Sequence, residues 1–306
     1  MILPDGKQVL LHRRSLLAGF AALLLPSASS AFEVPDHLPL IKADYAKERA
    51  HFRTRLLRKG PAPDKYEPLA PPAGADRIFY RSGYGGELEL VAWVSKYKRT
   101  PAPKPAVLFL HGGNAMGIGH WELVKPYIDA GYVVMMPSVR GENGQRGNFS
   151  GFYDEVDDVL AAADRLAHLP GVDNERMFIA GHSIGGTLTM LAAMSSKRFR
   201  AATPISGNPD AYRFFNRYPQ DIRFDDNDPR EFQMRSALCY ANSFKCPLLL
   251  MHGAEEDHFH DRTGRLVNRV RAAGVSIEAT TLPGGHTSAL PAEIERSLHF
   301  FHGIAA

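Results

Sequence analysis

In Met177-Phe178-Ile179-Ala180-Gly181-His182-Ser183-Ile184-Gly185-Gly186-Thr187 a short apolar run closes on Gly-x-Ser-x-Gly. It continues through Leu188-Thr189-Met190-Leu191-Ala192-Ala193 into a helical pattern. A strand, a sharp turn and a helix are the expected reading. A serine held on so tight an elbow has a strained backbone and close neighbours, so glycine is wanted at 181 and 185, where a Cβ would collide. Ser183 then presents its hydroxyl above a sheet, and the amide of Ile184, at a helix N-terminus, points toward an oxyanion formed beside it. Five residues with three fixed also occur by chance, so the flanks must carry the rest.

Upstream, Ile78-Phe79-Tyr80 and Leu88 to Val94 flank Gly83-Tyr84-Gly85-Gly86 and read as a hairpin. Ala106-Val107-Leu108-Phe109-Leu110 is a continuous apolar run, as in strands buried on both faces, and ends in His111-Gly112-Gly113-Asn114. A helix over 121–130 leads to a strand over 132–136, and a long helix over 154–169 leads to the Ser183 strand. Downstream come strands over 201–205, 246–252 and 276–282, with helices over 263–273 and 292–302. Strands alternating with helices predict an α/β protein whose mostly parallel sheet carries helices on both faces. Such sheets place chemistry at the carboxyl ends of their strands.

A serine nucleophile needs a base, an orienting acid and donors for the oxyanion. His286, after Pro283-Gly284-Gly285 at the end of the last strand, is the base. The loop Ala254-Glu255-Glu256-Asp257 opens at the end of the preceding strand and supplies the acid. Glu256 and Asp257 both remain in play, because register is not legible to one residue. Gly113 is the expected second oxyanion donor beside Ile184, with Asn114 less favoured, and His111 reads as structural. The histidines around His258-Phe259-His260-Asp261 lack the spacing of a zinc motif, so no metal is assigned. No Lys-Ser/Thr follows the glycines of 141–147, which excludes a phosphate loop; that stretch reads as a rim with Arg140 packed or paired beneath it. No cofactor is expected.

Between Ser206 and Phe244 the alternation stops. Aromatics mixed with charge (Tyr212, Phe214, Phe215, Tyr218, Phe224) suggest a small cap over 207–245. Asn114, His182, Tyr212 and Phe215 are the expected substrate contacts, and the aromatics point to an apolar or aromatic substrate.

The chain has 306 residues, 44% hydrophobic and 23% charged, and a formal charge of +3, too small and too dispersed to argue for a nucleic-acid partner. At the N-terminus Arg13-Arg14, a short apolar core and small residues up to Ala31 describe a twin-arginine export signal over 1–31, cleaved after Ala31. The apolar run is too short to span a bilayer, so the mature chain is expected to be periplasmic or secreted, without stable membrane insertion. Residues 32–75 hold a charged helix over 44–57 and a proline-rich tract, an arm lying on the main domain of 76–306 with its basic face solvated. Cys239 and Cys246 allow either a disulfide or a buried thiol. Nothing fixes an oligomeric state.

These segments together resemble an α/β hydrolase of the prolyl-oligopeptidase and dienelactone-hydrolase-like group. The resemblance is carried by His111-Gly112-Gly113, Pro137 to Gly144, Leu169 to Asp173, Gly181 to Gly186, Cys246 to Gly253 and Pro283 to His286. It covers about 76–306 and implies Ser183, His286 and an acid at Glu256 or Asp257. The group usually has an aspartate three residues after the glycine matching Gly253, a place held here by Glu256. Its oligopeptidases also carry a large β-propeller before the catalytic domain, for which 32–75 is too short. The expected activity is hydrolysis of a carboxylic ester through an acyl-serine. The alternatives are a small serine peptidase acting on short peptides and a non-catalytic binding module.

Overall fold

The computed structural model describes residues 32–64 and 67–305; the expected export signal, 1–31, lies outside them. Strands β1 (Ala75–Ser82) and β2 (Leu88–Ser95) form an antiparallel hairpin around a 3-10 turn at Tyr84–Gly86. They are followed by β3 (Lys104–Leu110), β4 (Val133–Pro137), β5 (Val172–His182), β6 (Ala201–Ile205), β7 (Leu248–Gly253) and β8 (Ile277–Leu282). All eight join one sheet in the order β1-β2-β4-β3-β5-β6-β7-β8. β2 runs antiparallel to β4, and every pairing from β4 onward is parallel. This is the α/β-hydrolase fold, as expected.

The sheet is apolar on both sides because alternate residues of a strand serve opposite cores. On β3, Ala106, Leu108 and Leu110 join the core under α4 (Glu155–Ala167), α5 (Ile184–Ser195) and α8 (Asp257–Ala272). Val107 and Phe109 point the other way, with Trp121 of α2 (Ile118–Leu123), Tyr127 of α3 (Lys125–Asp129) and Phe301 of α9 (Leu290–Ala305). The single helix expected over 121–130 is therefore two. Pro126 lies in the first turn of α3, where it lacks an N–H to continue the preceding helix and disfavours helical geometry just before it.

The arm contains α1 (Tyr45–His51), which stops well short of residue 57; the chain then runs extended, and Leu56 bridges to Phe224. Its basic face is not wholly solvated. Arg49 is buried, paired with Asp157 and stacked on Tyr153. The 207–245 segment holds α6 (Ala211–Arg217), α7 (Pro229–Gln233) and a 3-10 stretch at Ala237–Ser243. Arm and cap are joined by Arg235, which is fully buried and donates to Glu231 (2.6 Å), Thr54 (2.7 Å) and the carbonyls of Ser150 and Gly151. Cys239 and Cys246 are both free and buried, so of the two readings the thiol holds.

Candidate active site

Ser183 stands between β5 and α5 at φ 56° and ψ −117°, a left-handed conformation that a serine adopts only under constraint. The constraint is packing. A Cβ on Gly181 would strike the Gly185 carbonyl, and one on Gly185 would strike the Leu110 carbonyl. One on Gly186 would lie 2.6 Å from the Ile205 oxygen. The serine's own amide donates to the Ile205 carbonyl at 2.9 Å, tying the turn to β6. Ile184 opens α5, with its amide at the positive end of the helix.

The Ser183 hydroxyl lies 2.9 Å from His286 Nε2, and His286 Nδ1–H donates to Glu256 Oε1 at 2.6 Å. Glu256 Oε2 accepts from the Ser206 hydroxyl (2.6 Å) and the Gly253 amide (2.9 Å). Burial of Glu256 works against its charge, but the bonds from His286, Ser206 and Gly253 outweigh burial and hold the carboxyl down at about 2. It is thus an anion throughout the neutral range, fixing the imidazole tautomer with Nε2 free to accept from the serine. Asp257, the competing acid, is 96% exposed at the start of α8 and lies 3.9 Å from His260. One residue further along, the chain has already turned into the helix and its side chain faces outward.

The other expected residues divide. Gly113 sits at φ 70° beside Gly112, whose Cβ, were it present, would stand 3.4 Å from that of Ser183. The loop therefore passes directly against the nucleophile. The amide of Asn114 is not available to an oxyanion, since it donates to Asp64 Oδ2 at 2.6 Å, and the residue is buried. His182 is buried as well. Burial, then the nearby His286 ring, push it down to about 4, so it is neutral, and its Nε2–H donates to the His286 carbonyl at 2.7 Å. It braces the backbone of His286 and does not line the cavity that holds Ser183. Tyr212 and Phe215 are wrong as substrate contacts: Tyr212 stacks on Phe232 at 4.2 Å, and Phe215 is fully buried 5.0 Å from Phe224. Helix α6 turns these two inward, and the opposite face meets the site.

That face lines a cavity of about 510 Å³ containing Ser183 and His286. Arg213, Phe214 and Arg217 of α6, Tyr218 after it and Arg262 of α8 form its far wall. Ser206 and Asp64 join the site without a motif in the sequence to announce them. Ser206 follows the strand next to β5, the one hint of its place; Asp64 acts across 50 residues of chain. Arg140 is paired, as expected, by Asp158 through two contacts of 2.7 and 2.8 Å. Among the described residues no group of three His, Cys, Asp or Glu could hold a metal ion.

An α/β-hydrolase sheet with serine, histidine and glutamate meeting at its strand ends defines a serine hydrolase scaffold. Residues 121–304, more than half of the chain, match the prolyl oligopeptidase family. The chain belongs to that family. It is 30% identical over 174 residues to the uncharacterized peptidase YuxL of Bacillus subtilis, a match covering 50% of this chain and 26% of that protein. With the uncharacterized peptidase YtmA of the same organism it shares 26% over 168 residues, 52% of this chain and 65% of that one. The fold also matches the acylaminoacyl peptidase of Pyrococcus horikoshii, with a TM-score of 0.64 at 22% identity over 74% of this chain and 41% of that one. The chain thus spans less than two thirds of each of these proteins.

Proposed function

We propose that the chain is a serine hydrolase that cleaves short peptides by acyl transfer to water. The observation that carries this is the Ser183–His286–Glu256 line, with distances of 2.9 and 2.6 Å. In this reading Ser183 Oγ attacks the scissile carbonyl carbon while His286 Nε2 takes the hydroxyl proton. The imidazolium so formed is stabilised by Glu256, and the amides of Gly113 and Ile184 hold the carbonyl oxygen as it becomes negative. The C–N bond then breaks as Nε2 returns the proton to the departing amine. Water, deprotonated by the same nitrogen, releases the acid and frees Ser183.

The preference for peptides over the carboxylic esters expected from sequence is supported by the relatives, which bear the name peptidase. Esters are the easier substrates of the same machinery and remain the second reading. The test compares peptidyl p-nitroanilides with p-nitrophenyl esters on the parent and on Ser183→Ala. Loss of both activities by about a thousandfold or more is expected in the variant. Glu256→Gln is expected to fall by orders of magnitude, and Asp257→Asn to stay near the parent. Ester turnover without anilide turnover would return the assignment to an esterase, and an unchanged Ser183→Ala would end the hydrolase reading.

A further inference from the structure

The wall facing Ser183 is unusually cationic for a site that must receive an uncharged peptide bond. Arg213 and Arg217 are four residues apart on α6, hence on one helical face, and Arg262 approaches from α8; all three line the cavity that holds the nucleophile. Five charged side chains border the cavity, the other two being Glu255 and Glu256. Glu256 is committed to His286, Ser206 and Gly253. Asp210, buried behind the wall, caps α6 and reaches Arg213 Nε only at 3.7 Å. Arg217 stacks 5.7 Å from the Tyr218 ring and, among the described residues, has no carboxylate within ion-pair distance. Burial pulls the Arg262 guanidinium down, Arg213 and Arg217 act in the same direction, Asp210 and Asp261 oppose them, and the net shift is downward. Three arginines thus share the cavity lining with Glu255 and Glu256, and of these two carboxylates Glu256 is already held by His286. An exposed arginine is usually a solvated one; three converging on a single concave wall beside a nucleophile are placed for a shared anion.

Resting on the hydrolase reading, we propose that Arg213, Arg217 and Arg262 bind a carboxylate of the substrate, so that the preferred peptide carries an acidic group next to the bond that Ser183 attacks. The planar guanidinium fork suits a carboxylate, and Phe214 and Tyr218 supply apolar surface for the methylenes that lead to it. The carboxylate can belong to the acyl residue or to the residue that leaves.

The experiment uses isosteric pairs. N-acetyl-Glu p-nitroanilide against N-acetyl-Gln p-nitroanilide reads the acyl side, and N-acetyl-Ala-Glu amide against N-acetyl-Ala-Gln amide reads the leaving side. One pair is expected to show kcat/KM higher by about tenfold or more for the acid, and its identity assigns the source of the carboxylate. Arg217→Gln and Arg262→Gln are expected to bring that ratio toward one. Ratios near one in both pairs, or a ratio that survives the double variant, overturn the proposal. Binding is read without turnover by titrating Ser183→Ala with N-acetyl-Glu amide and N-acetyl-Gln amide. Tighter binding of the Glu compound by the parent wall and not by Arg217→Gln supports the site even if no peptide is cleaved, and equal binding overturns it. Failure of hydrolysis alone would therefore fall on the functional reading and not on the arginine wall.

Discussion

Glu293 is fully buried on α9, and neither of its carboxylate oxygens has a hydrogen-bond partner among the described residues. Burial, then the charge of Glu256, push its carboxyl up to about 8. The folded protein thus keeps a proton that the unfolded chain releases near the ordinary value of 4.5. With the folded value above the unfolded one, stability is full below about 4.5 and falls as pH rises through about 8. Glu155, held up to about 7 mainly by burial, adds to the same trend. Melting temperature is expected to decline from pH 5 to pH 9, and Glu293→Gln to flatten that decline while raising stability at pH 9. A parallel decline in the variant would refute the assignment. Glu256 shows the opposite use of a buried carboxylate, kept charged by the three donors that aim at it. Its identity was half legible: the strand end gave two adjacent acids, and only the first turn of α8 separates them. Ser206 left almost no trace, since a serine after a strand is ordinary until its neighbour across the sheet is known.

Helix α6 shows where an element could be placed but not rotated. It carries Tyr212, Phe214 and Phe215, with Tyr218 just beyond, so aromatics lie on several faces and its hydrophobic pattern has no single phase. An error of one residue is about 100° of rotation, enough to exchange the cavity side for the core side. Arm and cap resolved the phase: Phe224 and Phe232 take Phe215, leaving Phe214 and the arginines to the site. Phe215→Ala should therefore cost about 3–5 kcal/mol of stability, whereas Phe214→Ala should cost far less and chiefly raise KM. Chemical denaturation beside steady-state kinetics distinguishes the two effects. The elbow was legible for the opposite reason. Its glycines are demanded by the carbonyls pressed against them, those of Gly185, Leu110 and Ile205.

The molecule as a whole depends on its arm more than composition suggested. Tyr45 is fully buried, its hydroxyl donates to the Met234 carbonyl at 2.8 Å, and its ring packs 5.1 Å from that of Tyr240. Tyr45→Ala is expected to destabilise the fold by about 3–5 kcal/mol, seen as a lower denaturation midpoint, although the residue lies far outside the elbow. Such a role could not be read from sequence because it rests on contacts nearly 200 residues apart, as between Tyr45 and Ser243. The central sheet, by contrast, was legible almost throughout, because strands buried on both faces write continuous apolar runs. Beyond β5 the sheet is laid down in chain order, β6, β7 and β8 each adding to the same edge. During synthesis the nucleophile therefore leaves the ribosome 103 residues before the base. A nascent chain carries Ser183 long before His286 exists to accept its proton, so the serine, histidine and glutamate meet only once the final edge strand is in place.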